Sequence, residues 1–210
     1  MTGRGFLAIW SDIRIEQETD YLHWLTREHT SERLGVDGFL RVRVYRSLEA
    51  DVHRYFIHYE LRSPNVVGSP AYLARLNTPT PWSQRIMPIL GNFVRGGGRV
   101  LARAGIGEGA FLAAIKLDDL APIAAPALVA NIVAQDRIIA AELLETDAKQ
   151  SSIQTREQNL RERDRSFAGL LLVEGLDEAS LAASVIRLGF PAANNIYAQV
   201  FQLFPQSAQS

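Results

Sequence analysis

The sequence repeats itself at half its length, and this repeat limits the possible folds more than any other feature does. The tripeptide Phe6-Leu7-Ala8 returns as Phe111-Leu112-Ala113, 105 residues later in a chain of 210. Each copy opens an apolar run that ends in aspartate, at Asp12 and at Asp118. Looser matches follow in the same order, so the pattern indicates an internal duplication. We therefore expect two units of similar fold, residues 1–106 and 107–210.

Each half has the order strand-helix-strand-strand-helix-strand. In the first half, apolar alternation and helix caps predict strands at 6–13, 39–47, 54–61 and 99–104, and helices at 17–34 and from Ser69-Pro70 to Leu76, the second resuming over 82–90. The second half predicts strands at 110–117, 138–146, 167–174 and 198–204, with helices at 125–134 and 178–188. The glycine runs around residues 96 and 107 are interpreted as structural.

Two such units are two ferredoxin-like folds, each with its helices on one face of the sheet. Joined in one chain, their bare faces can meet and close an intrachain α/β barrel, so the predicted class is α+β. Such a chain can act as a monomer, and a homodimer through the outer helices is also possible. A charged segment at about 148–166 interrupts the second unit, and its composition predicts a solvent-exposed excursion, either a hairpin tip or a short helix.

Composition removes several classes of function. The chain has no cysteine, which excludes disulfides, zinc-thiolate sites, iron–sulfur clusters and thiol nucleophiles. Its net charge of −1 gives no general attraction to nucleic acid or anionic lipid. No run approaches the ~18 apolar residues of a membrane helix, and the apolar run at 6–10 is short for a secretory signal. We expect a cytoplasmic protein that binds a small molecule, without nucleic-acid or membrane partners.

Residues 21–34, followed by Asp37-Gly38-Phe39-Leu40, resemble the dimeric α/β-barrel superfamily. They are most similar to its EthD-like and muconolactone-isomerase-like members, in which a helix with a Glu-His pair leads into a Pro-Gly-Phe turn. Glu28-His29 and Gly38-Phe39 correspond to those motifs, with Asp37 in place of the proline. The resemblance covers about residues 6–104. It implies the ferredoxin-like barrel, but the superfamily holds isomerases, cofactor-free monooxygenases and haem enzymes, so the activity stays open.

Strand alternation gathers polar and aromatic side chains on the face that would line the barrel. If the apolar sets pack on the helices, the interior of the first half receives Trp10, Asp12, Arg41, Arg43, Tyr45, Phe56, His58 and Glu60. This set has the composition of a small-molecule pocket, and equally that of an ion-pair network filling the barrel. Trp82 follows two prolines and is either a further wall of the ligand site or a core anchor.

The candidate catalytic residues are His29, His58 and Glu60. His29 comes from the family-like Glu-His pair and is expected near the barrel mouth, where it could take a proton from an enol, a phenol or an activated C–H group. Either Glu32 or Arg33 could orient it, although a helix-end histidine bonded to backbone fits the same position. Arg41 or Arg43 would clamp an anion.

Two classes of function remain from the sequence. The first is an enzyme without organic cofactor, a lyase, isomerase or monooxygenase that acts on an apolar or aromatic substrate. The second is a non-catalytic ligand-binding or scaffold protein whose barrel charges are paired. A haem-binding protein with His29 or His58 as axial ligand is a further alternative. The histidine spacings give no metal-binding motif, so no metal is expected.

Overall fold

Eight antiparallel strands form a closed barrel in the computed structural model, which describes residues 3–49, 53–120, 124–148, 155–160 and 165–206. The strands are β1 (Gly5–Asp12), β2 (Phe39–Ser47), β3 (Arg54–Leu61), β4 (Gly91–Gly105), β5 (Phe111–Leu117), β6 (Ile138–Thr146), β7 (Gly169–Gly175) and β8 (Ile196–Leu203). Around the barrel they follow the order β1-β3-β2-β8-β5-β7-β6-β4.

The two halves of the barrel have the same strand order. The first half reads β4-β1-β3-β2 and the second β8-β5-β7-β6, so in each half the first and third strands lie in the centre. The halves meet at two seams, where β2 pairs with β8 and β4 with β6. The predicted α+β class and intrachain barrel are confirmed.

Helices cover the outer face of each half. They are α1 (Glu18–Trp24), α2 (Thr30–Leu34), α3 (Pro70–Asn77), α4 (Pro81–Ile86), α5 (Ala125–Val133) and α6 (Glu178–Arg187). A π-helical turn over Leu25–His29 joins α1 to α2 in one continuous helix. The backbone N–H of Tyr72 donates to the hydroxyl of Ser69, and that of Ser83 donates to Thr80, which explains why α3 and α4 begin where they do.

Three apolar clusters hold the layers together. The layer between β1–β4 and their helices is rich in aromatic side chains, including Tyr21, Trp24, Tyr55, Tyr59 and Tyr72. The corresponding layer of the second half buries aliphatic side chains of Ala, Val, Leu and Ile. The third cluster fills the middle of the barrel. The two halves therefore share a topology but not the chemistry of their helix layers.

Strand β4 begins eight residues before the predicted start at 99, because the glycine run belongs to it. Its first part pairs with β1 and its last part with β6, so the strand crosses from one half to the other. A Cβ on Gly98 would overlap the backbone oxygen of Glu145, and a Cβ on Gly96 would lie 2.5 Å from the ring of Phe167. Only glycine permits both close approaches.

The charged segment is partly outside the described residues, which include 155–160 and 165–166 of it. Residues 155–160 pack against the first half and are not a solvated excursion, whereas Arg165 and Ser166 are exposed. The backbone N–H of Glu157 donates to the carbonyl of Leu76 at 3.0 Å, and the Glu157 side chain is buried. This stretch packs on the helices of the first half because a buried arginine, Arg33, requires a counter-charge there.

Candidate functional site

The inner face of the barrel receives the side chains that strand alternation assigns to it. Trp10, Tyr45 and Phe56 lie in the barrel cluster, with the rings of Trp10 and Phe56 4.5 Å apart. Val42 and Val44, which alternate with them on β2, lie in the helix layer. The sequence therefore identifies the faces correctly.

An ion-pair network occupies the barrel end at which the predicted arginine and glutamate side chains meet. Arg41 pairs with Glu60 and Glu108, and Arg43 pairs with Glu174 at 2.8 Å. Near them Arg103 pairs with Glu142 at 3.2 Å. The sequence leaves a pocket and an ion-pair network open for Arg41, Arg43, His58 and Glu60, and the contacts observed here are those of the network. Their charges neutralise one another, because buried charges are stable only when paired.

His58 is enclosed by this network. Its ring lies 6.1 Å from that of Phe56, and within the described ranges neither ring nitrogen has a hydrogen-bond partner. Burial, reinforced by the positive charge of Arg43, lowers the pKa of His58 to about 3. The imidazole is therefore neutral near pH 7 and far weaker than an effective general base at that pH.

The remaining predicted residues lie apart from one another. Asp12 is at the opposite end of the barrel, where Arg54 donates to both of its carboxylate oxygens at 2.6 and 2.9 Å. Trp82 belongs to α4 in the outer layer, where its indole N–H donates to Asp20 at 3.0 Å. The structure therefore brings Trp82 to neither end of the barrel interior.

His29 lies in a different place from the one expected. It is buried beneath the helix layer of the first half, not at the barrel mouth. The π-helical turn ends at His29 and packs its ring against that of Trp24, with centroids 4.2 Å apart. π-turns of this kind are found frequently at functional sites, because the extra residue re-aims a side chain.

A cavity between this helix layer and the sheet brings His29 together with other polar groups. Its lining includes the aromatic side chains of Tyr21, Trp24, Tyr59, Tyr72 and Phe93, and the polar side chains of Ser11, His29, Arg33, Arg95 and Glu157. The empty space totals about 430 Å³ with its mouth, of which about 30 Å³ admits a water molecule. The cavity is aromatic and narrow.

Arg33 and Glu157 form the charged part of this lining. Their side chains are almost fully buried, and a guanidinium nitrogen of Arg33 lies 2.5 Å from a carboxylate oxygen of Glu157. Arg33 also lies over the ring of Tyr72 at 5.9 Å. A fixed cation beside an imidazole can stabilise negative charge that develops when a proton is removed.

Two tyrosines of the cavity remain neutral phenols. Burial raises the pKa of Tyr21, and the Tyr21 hydroxyl lies 3.3 Å from that of Ser11. Burial likewise raises the pKa of Tyr59. These phenols can bond to a ligand as donors but are poor bases.

Sequence reasoning found part of this cavity. His29 was singled out, and Arg33 was noted four residues further along the helix. Tyr21 and Tyr59 are not among the predicted site residues, because hydrophobic periodicity gives the face of a residue and not the empty space beside it. Glu157 had no sequence signal, since it arrives from the other half of the chain.

The described residues do not fit a haem or a metal ion. His58 is surrounded by ion pairs, and the space beside His29, about 430 Å³ with its mouth, is too narrow for a porphyrin ring. Among these residues no group of three or more His, Asp or Glu side chains could hold a metal ion. We therefore derive no chemistry through either group.

Comparison with known proteins identifies the fold. Neither the family models nor the curated proteins contain a match to this sequence. Among solved structures, an anthrone oxidase-like protein is 12% identical, with a TM-score of 0.65 over 99% of this chain and 95% of its own. A monooxygenase-named protein from Fusobacterium nucleatum subsp. nucleatum is 14% identical, with a TM-score of 0.55 over 97% and 96%. A protein named for chlorite dismutase is 11% identical, with a TM-score of 0.54 over 96% of each chain. At these identities the likeness shows the shared barrel fold.

In the part of the chain that the structure describes, none of the helices is long and apolar enough to cross a membrane.

Proposed function

We propose that the protein is an enzyme without organic cofactor that removes a proton from a small aromatic substrate in the His29 cavity. The observation that carries the proposal is the placement of a buried imidazole beside the Arg33 guanidinium among aromatic side chains. Such a site combines a proton acceptor, a cation for the resulting anion and flat apolar walls.

A monooxygenase-type reaction is our first choice within this class, ahead of a lyase or isomerase. The names of two fold neighbours, an anthrone oxidase-like protein and a monooxygenase, support this choice. With anthrone and O₂ the step balances: His29 accepts a proton from the activated C–H group, and the carbon then gives electrons to O₂. A C–O bond forms, the O–O bond breaks, and anthraquinone and water leave.

The barrel-interior candidates have no place in this mechanism. His58 is neutral and enclosed, and Glu60 is paired with Arg41. We assign Arg41 and Arg43 to holding that end of the barrel together.

We also infer an origin by duplication, with units 1–106 and 107–210, from the equal strand order of the halves. Kinship with EthD-like proteins rests on Glu28-His29 and Gly38-Phe39 alone. A cytoplasmic protein that is active as a monomer would fit a barrel closed within one chain.

The test is turnover of anthrone under O₂, followed by the absorbance of anthraquinone. His29→Ala should lower the turnover by roughly 10²–10⁴ while leaving the circular dichroism unchanged, because general-base catalysis contributes about that factor. His23→Ala on α1 is the matched control and should keep full activity, since His23 is not among the cavity residues. Equal activity of wild type and His29→Ala would remove His29 from the mechanism.

A second candidate function is ligand binding without catalysis. The Arg33–Glu157 pair favours it, because a guanidinium already neutralised by a carboxylate stabilises a newly formed anion less than a free one does. Native mass spectrometry with a panel of hydroxyaromatic compounds separates the two functions. A retained compound that is never converted would support binding alone.

A further inference from the structure

A second, larger cavity lies at the barrel end opposite the ion-pair network. About 340 Å³ of it admits water, within the range of small-molecule pockets. Its apolar floor consists of Trp10, Val94 and Phe167. The polar part of the lining comprises Arg54, Asn92, Lys116, Asp118, Arg165 and Ser166.

The cations around this cavity differ in how they are neutralised. Arg54 makes a two-point ion pair with Asp12. The amide of Asn92 donates to Asp12 at 2.8 Å and accepts from the guanidinium of Arg165 at 3.3 Å. In this network Arg54 and Asn92 share the carboxylate of Asp12. Arg165 donates only to the neutral amide oxygen of Asn92.

Lys116 is a cation without a carboxylate partner among the described residues. Its ammonium lies 4.6 Å from the centre of the Trp10 ring. Burial, together with the charges of Arg54 and Arg165, lowers the pKa of Lys116. Asp118 lines the same cavity but makes no ion pair with Lys116 in the described chain. The ammonium is therefore held in a region of excess positive charge.

The backbone holds Arg165 beside Lys116. The N–H of Arg165 donates to the carbonyl of Phe93 at 3.3 Å, and the N–H of Arg95 donates to the carbonyl of Arg165 at 2.9 Å. Val94 and Arg165 form a parallel bridge through these bonds. The two cations thus line the same cavity as the apolar floor before any ligand arrives.

We propose that this end of the barrel binds a small organic anion. Its carboxylate or phosphate group lies between Lys116 and Arg165, and its apolar body rests against Val94 and Phe167. Charged hydrogen bonds supply the affinity, since an anion here neutralises two positive groups that have no carboxylate partner among the described residues. The site is independent of the His29 cavity, which lies outside the barrel wall.

Titration calorimetry with benzoate, inorganic phosphate and the neutral benzamide tests the proposal. Saturable binding of benzoate with benzamide at least tenfold weaker supports an anion with an apolar body. Phosphate binding tighter than that of benzoate identifies a phosphorylated ligand. Lys116→Gln should weaken benzoate or phosphate binding by about tenfold or more, as expected for loss of one charged hydrogen bond. Arg99→Gln is the matched control, because Arg99 is an exposed arginine of β4 that pairs with Glu145 outside this cavity.

A spectroscopic measurement locates the anion. The chain has only two lysines, Lys116 and Lys149, so reductive ¹³C-methylation gives two assignable lysine signals without removing their charge. Benzoate or phosphate should shift the Lys116 signal and leave the Lys149 signal in place, in wild type and in His29→Ala alike. No saturable anion binding, equal affinity for benzamide, or unchanged affinity of Lys116→Gln would each overturn the proposal.

Discussion

The two fully buried histidines of the first half differ in what surrounds them. His29 lies against the Trp24 ring at the wall of a cavity, whereas His58 lies in the barrel between an aromatic ring and paired charges. The same side chain thus borders a cavity in one place and is enclosed by ion pairs in the other. This difference gives His58 a measurable effect on stability.

Because of His58, the free energy of unfolding should fall more steeply with decreasing pH than it would without this histidine. Its pKa is about 3 in the folded protein against 6.5 as the ordinary value, so between these values the unfolded chain binds the extra proton. The free energy of unfolding therefore decreases as the pH falls through this window, by at most about 1.4 kcal/mol per pH unit from this group. Urea unfolding of wild type and His58→Phe at pH 7 and pH 4.5 measures the effect.

His58→Phe should lose less stability than wild type between the two pH values, because phenylalanine has no proton to bind. His23→Gln is the control and should lose as much as wild type does, since other groups of the protein titrate equally in both. If His58→Phe and wild type fell in parallel, the histidine would be charged in the folded state.

Residue positions were predictable to the extent that they depend on alternation. The period of two assigns Trp10, Tyr45 and Phe56 to the barrel and Val42 and Val44 to the helix layer, as the structure has them. It could not tell that opposite charges meet across the barrel, as Arg43 and Glu174 do from different halves. Cavities depend on such long-range packing, and for that reason the sequence does not predict the cavity between the helices and the sheet.

At the scale of elements, most strands follow the local pattern. The bounds of β2, β3 and β6 match the sequence prediction, because each alternates cleanly between turns. The predicted helix 17–34 forms one continuous helix, but its hydrogen bonding changes to a π-turn between α1 and α2, a change that periodicity does not reveal. The sequence predicts β4 only from residue 99, because glycine normally interrupts strands. In the structure the glycines belong to β4 and permit its crossing between the halves.

The contact of the segment 155–160 with α2 should contribute strongly to stability. Glu157→Gln removes the negative charge but leaves Arg33 buried, and such a change costs about 3–5 kcal/mol. Arg33→Met combined with Glu157→Leu should recover most of this loss, because the pair is then replaced by apolar side chains of similar size. Chemical denaturation of the three proteins gives the comparison.

Asp37→Asn serves as the control for this series. Asp37 pairs with Arg62 at 2.8 Å in full contact with solvent, so the variant should unfold at the wild-type denaturant concentration. Hydrogen exchange of the amides of 155–160 should quicken in Glu157→Gln. An unchanged midpoint together with unchanged exchange would show that the ion pair does not hold the segment.

At the scale of the whole molecule, the halves should remain associated when the chain is cut between them. A protease site inserted at Ile106-Gly107 lies at an exposed position, where the Ile106 side chain is 91% exposed. The β2–β8 and β4–β6 seams and the shared barrel core persist after cleavage, so both fragments should elute together at about the 23.3 kDa of the intact chain.

Size-exclusion chromatography and denaturing gels check this expectation. The fragments should separate in urea and reassemble when it is removed, because neither half alone can bury its inner face. Later elution of two independent folded fragments in native buffer would contradict it. The uncut protein with the same insertion is the control for any effect of the added residues.

Closure of the barrel also determines how copies of the protein can aggregate. An open sheet presents a strand whose backbone groups face solvent and can pair with a second chain, but in this barrel every strand has a neighbour on both sides. Parting either seam exposes two such edges at once, one from each half. The state prone to aggregate is thus the partly opened barrel, and heating or refolding at high protein concentration endangers the protein more than storage of the native fold.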